Sequence, residues 1–182
     1  MALFISFLLI VATIQASAGN VKYGSKPGIP STKQELSTFR EDMLLAHNRY
    51  RAKHDVGALK LSSYLCNLAQ SWAEHLASTD TFKHSNNKEF GENMVWRFSA
   101  TEITGQQATD QWYSEIKNYN FGDTGFQLGT GHFSQVVWKD SKEIGIGKAV
   151  AKSGKVYVVA NYQPAGNKMQ AFQENIFPPQ SG

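Results

Sequence analysis

Leu36, Phe39, Met43, Leu44 and His47 recur at the spacing of one helix face, which predicts a first helix. Thr32 and Glu35 stand three apart just before this stripe, the spacing of a capping box, so the helix is expected to start there. Leu65, Leu68, Ala69, Trp72, Ala73 and Leu76 give a second helical stripe, with Ser62 or Ser63 as its N-cap. A third helix is expected over 101–117, with Ala108, Trp112, Glu115 and Ile116 on one face. The pattern then changes. Residues 156–163 read as a strand that pairs with 143–151 across 152–155, where Gly154 suits a tight hairpin. The apolar run 133–138 fits a strand or a short helix, and period alone does not separate the two. There are no repeats and no low-complexity tract.

The ends of the chain read differently. Residues 3–12 are almost purely apolar, Ser6 being the only polar side chain, and Ala16-Ser17-Ala18 follows as an A-x-A cleavage pattern. This is the layout of a secretory signal peptide spanning 1–18 and cut after Ala18, although no Lys or Arg precedes the apolar run. The run is too short to span a bilayer, and no second run of spanning length follows, so no transmembrane segment and a secreted, soluble mature protein are expected. Residues 19–31 are Gly- and Pro-rich and read as a flexible segment. The remainder, 32–179, has the size and the 41% hydrophobic content of a single domain with its own core, followed by a short tail at 180–182.

Charge adds little. The net +3 comes from interspersed Lys and Arg, which gives nucleic-acid binding no support and allows only weak attraction to anionic membrane surfaces. Cys66 is the one cysteine, so no intrachain disulfide can form. Its place in the second helical stripe reads as a small buried hydrophobe. The alternative is an exposed thiol that joins a homodimer.

Several short motifs stand in a particular order. Ala46-His47-Asn48-Arg49-Tyr50-Arg51 comes first, then Gly91-Glu92-Asn93, then Trp112-Tyr113-Ser114-Glu115-Ile116. Gly131-His132-Phe133-Ser134-Gln135-Val136-Val137-Trp138 follows, and then Val158-Val159-Ala160-Asn161-Tyr162-Gln163-Pro164-Ala165-Gly166-Asn167. Together these resemble the CAP superfamily of cysteine-rich secretory, antigen-5 and pathogenesis-related-1 proteins. The spacing, the lack of cysteine pairs and the ending Glu174-Asn175-Ile176-Phe177-Pro178-Pro179 are most similar to its Golgi-associated pathogenesis-related-1 subgroup. The resemblance implies an α+β fold: a three-layer α-β-α sandwich with a small, mainly antiparallel sheet between helices. Two departures limit what carries over. Ala160 stands where many secreted members have cysteine, and Met1-Ala2 replaces the Met-Gly needed for myristoylation.

The same resemblance assigns His84, Glu92, Glu115 and His132 to the family's cavity tetrad. The residues themselves support part of this. Glu115 lies beside the apolar face of its helix, and a carboxylate there needs a cationic or hydrogen-bonding partner. His132, between Gly131 and Phe133, is costly to bury without one. Two imidazoles and two carboxylates suit a divalent metal such as zinc, or equally a hydrogen-bonded network that fixes loops. His47, His54 and His75 read as packing or capping histidines, and Asn161, Tyr162 and Asn167 as turn and packing residues.

No G-x-S-x-G elbow exists, Ser134 is only two residues from His132, and Cys66 has no motif around it. The expectation is a non-enzymatic secreted module. By resemblance its ligands would be sterols or other lipids, membrane surfaces and protein partners. The alternatives are a divalent-metal-dependent hydrolase with Glu92 or Glu115 as base, and a purely structural interaction domain.

Overall fold

A computed structural model of the chain describes residues 32–98, 103–123 and 125–180. The expected signal peptide, the segment 19–31 and the first residues of the expected third helix lie outside these. Helix α1, Lys33–Lys53, begins at Thr32 with both halves of the capping box in place. The Glu35 amide donates to Thr32 Oγ1 at 3.2 Å, and the Thr32 amide donates to Glu35 Oε2 at 2.8 Å. The helix buries Phe39, Met43, Ala46, His47 and Arg51. Arg51 has no exposed surface and donates to four carbonyls, those of Gly57, Val136, Trp138 and Ser141. Burial lowers its pKa to about 10, and the carbonyl dipoles take the place of a counter-ion.

A short strand β1, Lys60–Leu61, leads into helix α2, Ser63–Thr79, with Ser62 at the N-cap position. The Ser62 side chain makes no capping bond among the described residues. Strand β2 is Gly91–Phe98; β3, Glu143–Val150, and β4, Lys155–Gln163, form the expected hairpin, with Gly154 at φ 86° in its turn. The sheet order is β1-β3-β4-β2, with β1 parallel to β3 and the other pairs antiparallel. Helix α2 covers one face through Ala69, Ala73 and Leu76, which meet Met94, Tyr157 and Val159. A Cβ on Gly145 would stand 2.0 Å from the Leu65 carbonyl carbon, so glycine is what lets α2 lie directly on β3. The opposite face packs Phe39, Met43, Trp112, Phe133, Val136, Ile146, Val158 and Tyr162 into the larger core. The three-layer α-β-α arrangement is therefore present.

Four elements differ from, or complete, the sequence reading. The third helix is shorter: α3 spans Gly105–Tyr113 and tightens into a 3-10 turn, Ser114–Asn118. Its start is fixed by a second capping box, Thr104 with Gln107. The run 133–138, left open between strand and helix, is helical: α4 spans Gly131–Val137. Phe133 to Val137 are all buried: Phe133, Val136 and Val137 join the larger core, and the polar Ser134 and Gln135 are hydrogen-bonded inside it. Strand β2 was not foreseen, because Glu92, Asn93 and Arg97 interrupt its apolar alternation. A last short helix, α5, spans Phe172–Asn175, and the Gln180 amide returns to the Lys53 carbonyl at 2.7 Å. No helix among the described residues is long and apolar enough to cross a membrane.

Candidate functional site: two histidine–carboxylate pairs beside β2

Glu92 is the second residue of β2, at the edge of the sheet. The loop from Asp80 to Phe90 crosses from the end of α2 to this strand. It is tied down where Trp72 Nε1 donates to the Lys83 carbonyl at 3.1 Å and Tyr157 Oη donates to Asp80 at 2.7 Å. His84 on this loop meets Glu92, Nδ1 to Oε1 at 2.6 Å, and the Ser85 amide donates to the same oxygen at 3.0 Å. The carboxylate is buried, at 8% exposure, while the imidazole is 63% exposed.

Glu115 sits in the 3-10 turn after α3. Its Oε1 meets His132 Nδ1 at 2.7 Å, and its Oε2 accepts the backbone amides of His132 and Phe133 at 3.0 and 3.1 Å. Those amides are among the unpaired donors at the start of α4. Thr130, the N-cap residue, supplies no side-chain bond, so Glu115 caps α4 from a distant part of the chain. That is the partner its position on an apolar helix face demanded. The His132 ring also stacks near Trp112, with centroids 6.4 Å apart.

A third group, which sequence reasoning did not assign, links the pairs. Asn93 follows Glu92 and points to the other face of β2. Its Nδ2 donates to the His132 carbonyl at 3.1 Å and to Tyr162 Oη at 3.3 Å. Tyr162 Oη in turn meets His47 Nε2 at 2.8 Å, and His47 Nδ1 meets the Met43 carbonyl at 2.8 Å. The geometry fixes the proton positions. His47 donates from Nδ1 and accepts at Nε2, so the tyrosine hydroxyl donates to it. Burial holds His47 neutral, its pKa lowered to about 4, and raises that of Tyr162. His47 and Asn93 both stand within quoted motifs, but nothing in the sequence said that they meet.

The four expected site residues thus come together two by two, and the pairs are joined through the consecutive residues Glu92 and Asn93. Among the described residues no three His, Cys, Asp or Glu side chains form a group that could hold a metal ion. Each imidazole turns Nδ1 to a carboxylate, and neither Nε2 meets a hydrogen-bond partner among the described residues. A carboxylate behind Nδ1 fixes the tautomer that leaves the Nε2 lone pair available to a ligand.

The remaining candidates are occupied. Ser134 Oγ is buried and lies 2.5 Å from Asn167 Oδ1, while Asn167 Nδ2 donates to the Gly131 carbonyl at 2.8 Å. Cys66 is buried, and the Ile146 amide donates to its sulfur at 3.4 Å. His54 is buried between the Phe177 carbonyl and Tyr113 Oη, and burial lowers its pKa. His75 is exposed and stacks on Trp72. A Cβ on Gly91 would fall 2.0 Å from Gln135 Oε1, the atom that accepts the Gly166 amide at 2.9 Å. The glycine therefore lets β2 begin directly against the segment carrying Pro164 to Asn167.

Residues 44–162, which carry both histidine–carboxylate pairs and the Asn93–Tyr162–His47 link, match the Cysteine-rich secretory protein family, CAP. The chain belongs to the CAP family. This CAP chain is 47% identical to the Golgi-associated plant pathogenesis-related protein 1 of Homo sapiens over 152 residues, 81% of this chain and 97% of that protein. It is 32% identical to pathogenesis-related protein 1 of Arabidopsis thaliana over 139 residues, 76% of this chain and 83% of that protein. The solved structure of NaASP2 with Zn2+ superposes with a TM-score of 0.67 over 82% of this chain and 90% of that one, at 22% identity. That last likeness is one of fold.

Proposed function

We propose that this CAP chain is a secreted, non-enzymatic binding module that takes a divalent cation at His84 and His132 and engages lipid or sterol at membrane surfaces. One observation carries the reading: both imidazoles are held through Nδ1 by a carboxylate and leave Nε2 without a partner among the described residues. Two neutral imidazoles are ligands of the kind zinc takes, and water would complete the coordination. His84 and His132 would hold the ion, with Glu92 and Glu115 orienting them and balancing charge. A bound cation would supply a local positive charge able to attract an anionic headgroup. The structure of NaASP2 with Zn2+, a protein of the same fold, is consistent with this.

The non-enzymatic part is supported by what the candidate nucleophiles and bases already do. Ser134 and Cys66 are buried, both oxygens of Glu115 are engaged, and the unpartnered Oε2 of Glu92 is closed off from solvent. Secretion is supported by the apolar run at 3–12 with its A-x-A pattern. The lipid part is supported by exposed Phe126, Leu128 and Met169, the second 95% exposed. These belong to two segments that meet at Gly131, whose Cβ position lies near both the Phe126 ring and Asn167. Exposed large apolar side chains on adjoining segments offer surface that a lipid could cover.

Calorimetric titration with zinc tests the reading. Wild type should bind saturably, and the double variant His84→Ala, His132→Ala should give no heat while keeping its circular dichroism. Equal zinc binding by the two proteins would refute it. Zinc at 100 times its dissociation constant should raise wild-type stability by about 2.7 kcal/mol through mass action.

A further inference from the structure

On the α2 face of the sheet, a pocket of about 320 Å³ opens between α2 and the loop that carries His84. Its wall on α2 is a second helix stripe beside the core one: Leu68, Ser71, Trp72 and His75, at the spacing of a single face. Leu65, Ala69, Ala73 and Leu76 have no exposed surface, whereas Leu68 and Trp72 are only partly buried. The loop supplies the facing wall through Ser85, Asn87 and Phe90. The pocket is preformed. Trp72 Nε1 donates to the Lys83 carbonyl at 3.1 Å, and its ring stacks on His75 with centroids 4.7 Å apart and 18° between the planes. An indole held at its edge and at one face does not swing into the space beside it.

The polar groups of the loop wall are left as donors. Asn87 Oδ1 accepts the Glu89 amide at 2.7 Å, which turns the Nδ2 hydrogens the other way. Ser85 Oγ accepts the Asn87 amide at 3.4 Å and keeps its own proton to give. Among the described residues that line the pocket there is no carboxylate. Lys83 and Lys88 stand on the loop against Glu89 alone, since Asp80 at its start is paired with Lys155 at 3.1 Å. Such a rim suits an anionic head, and the rings of Trp72 and Phe90 suit an aromatic body. The volume is at the small end of ligand sites, room for one ring and a short linker. We infer that this pocket binds a small aromatic carboxylate, its ring against Leu68, Trp72 and Phe90 and its carboxylate accepting from Asn87 Nδ2 and the Ser85 hydroxyl. The site uses neither imidazole Nε2 and neither oxygen of Glu92, so it stands apart from any cation at His84 and His132.

Sodium phenylacetate is the probe, titrated calorimetrically into the wild-type protein in metal-free buffer at neutral pH, with phenylethanol and phenethylammonium as controls that carry the same ring. The carboxylate should bind saturably and at least tenfold more tightly than either control. Asn87→Asp keeps an acceptor for the Glu89 amide but puts a negative charge where the donor was, and should weaken binding at least tenfold. Ser71→Trp, a change at an exposed position of α2, should fill the pocket and block binding while the melting temperature holds. His132→Ala should leave it unchanged, so that loss of zinc binding and loss of carboxylate binding are separable. No saturable heat from folded wild type, equal affinity for the alcohol or the ammonium, or undiminished binding by either Asn87→Asp or Ser71→Trp would each overturn the assignment.

Discussion

The two histidine–carboxylate pairs have the same contact at nearly the same length, 2.6 Å for His84–Glu92 and 2.7 Å for His132–Glu115. They do different work. Glu115 holds two backbone amides of α4 as well as its histidine; Glu92 holds one backbone amide of a loop and keeps an oxygen unpartnered. The Glu115 pair is therefore part of the framework, while the Glu92 pair is set upon it. A residue set named together by resemblance thus divides, in the fold, into a pair that caps a helix and a pair that keeps one buried oxygen unpartnered.

The largest expected effect concerns a third histidine, against which the exposed pairs can be measured. The unfolded chain protonates His47 near 6.5, whereas burial holds it to about 4 in the fold. Between those values only the unfolded chain binds the proton. Stability present above pH 6.5 is therefore lost as pH falls toward 4, by on the order of 3 kcal/mol. Burial lowers His54 too, in the same direction. Urea unfolding across this range should show the slope, and His47→Gln should flatten it. An unchanged slope in that variant would place the acid sensitivity elsewhere, with buried His54 the next group to test.

The next effect separates the pairs directly. Glu115→Ala leaves the first amides of α4 unpaired and should cost about 2–3 kcal/mol in urea or thermal unfolding. Glu92→Ala removes a carboxylate that carries an unpartnered oxygen and frees an imidazole already largely in water, so it should cost about 1 kcal/mol or less. Equal losses would erase the distinction between the capping pair and the other. The smallest effect is expected from redox conditions. With its single thiol buried under the Ile146 amide, the protein should melt at the same temperature with and without reductant. A drop on reduction would mean that Cys66 forms a bridge between chains.

The fold was legible where local chemistry is strong. Thr32 and Glu35 announced α1, the Gly154 turn announced the β3–β4 hairpin, and the apolar stripe of α2 came with its cap position. It was not legible where tertiary contacts decide. Strand β2 carries Glu92 and Asn93 because each has a partner outside the strand, His84 on the preceding loop or the His132 carbonyl on α4, and those partners hide its alternation. The third helix tightens after Tyr113, which places Glu115 at the start of α4, a contact 17 residues away in sequence. The tetrad was named by family resemblance alone. Its division into pairs depends on the alternation of Glu92 and Asn93 across an edge strand that the sequence did not reveal.

The most direct test of the central claim is long-range 1H–15N NMR of the imidazole nitrogens of His84 and His132 during zinc titration at neutral pH. In the free protein each Nδ1 should carry a proton directed at its carboxylate. On adding zinc, both Nε2 resonances should move to metal-bound positions while the Nδ1 protons stay in place. Unchanged Nε2 resonances at saturating zinc, or loss of the proton from Nδ1 instead, would contradict the account.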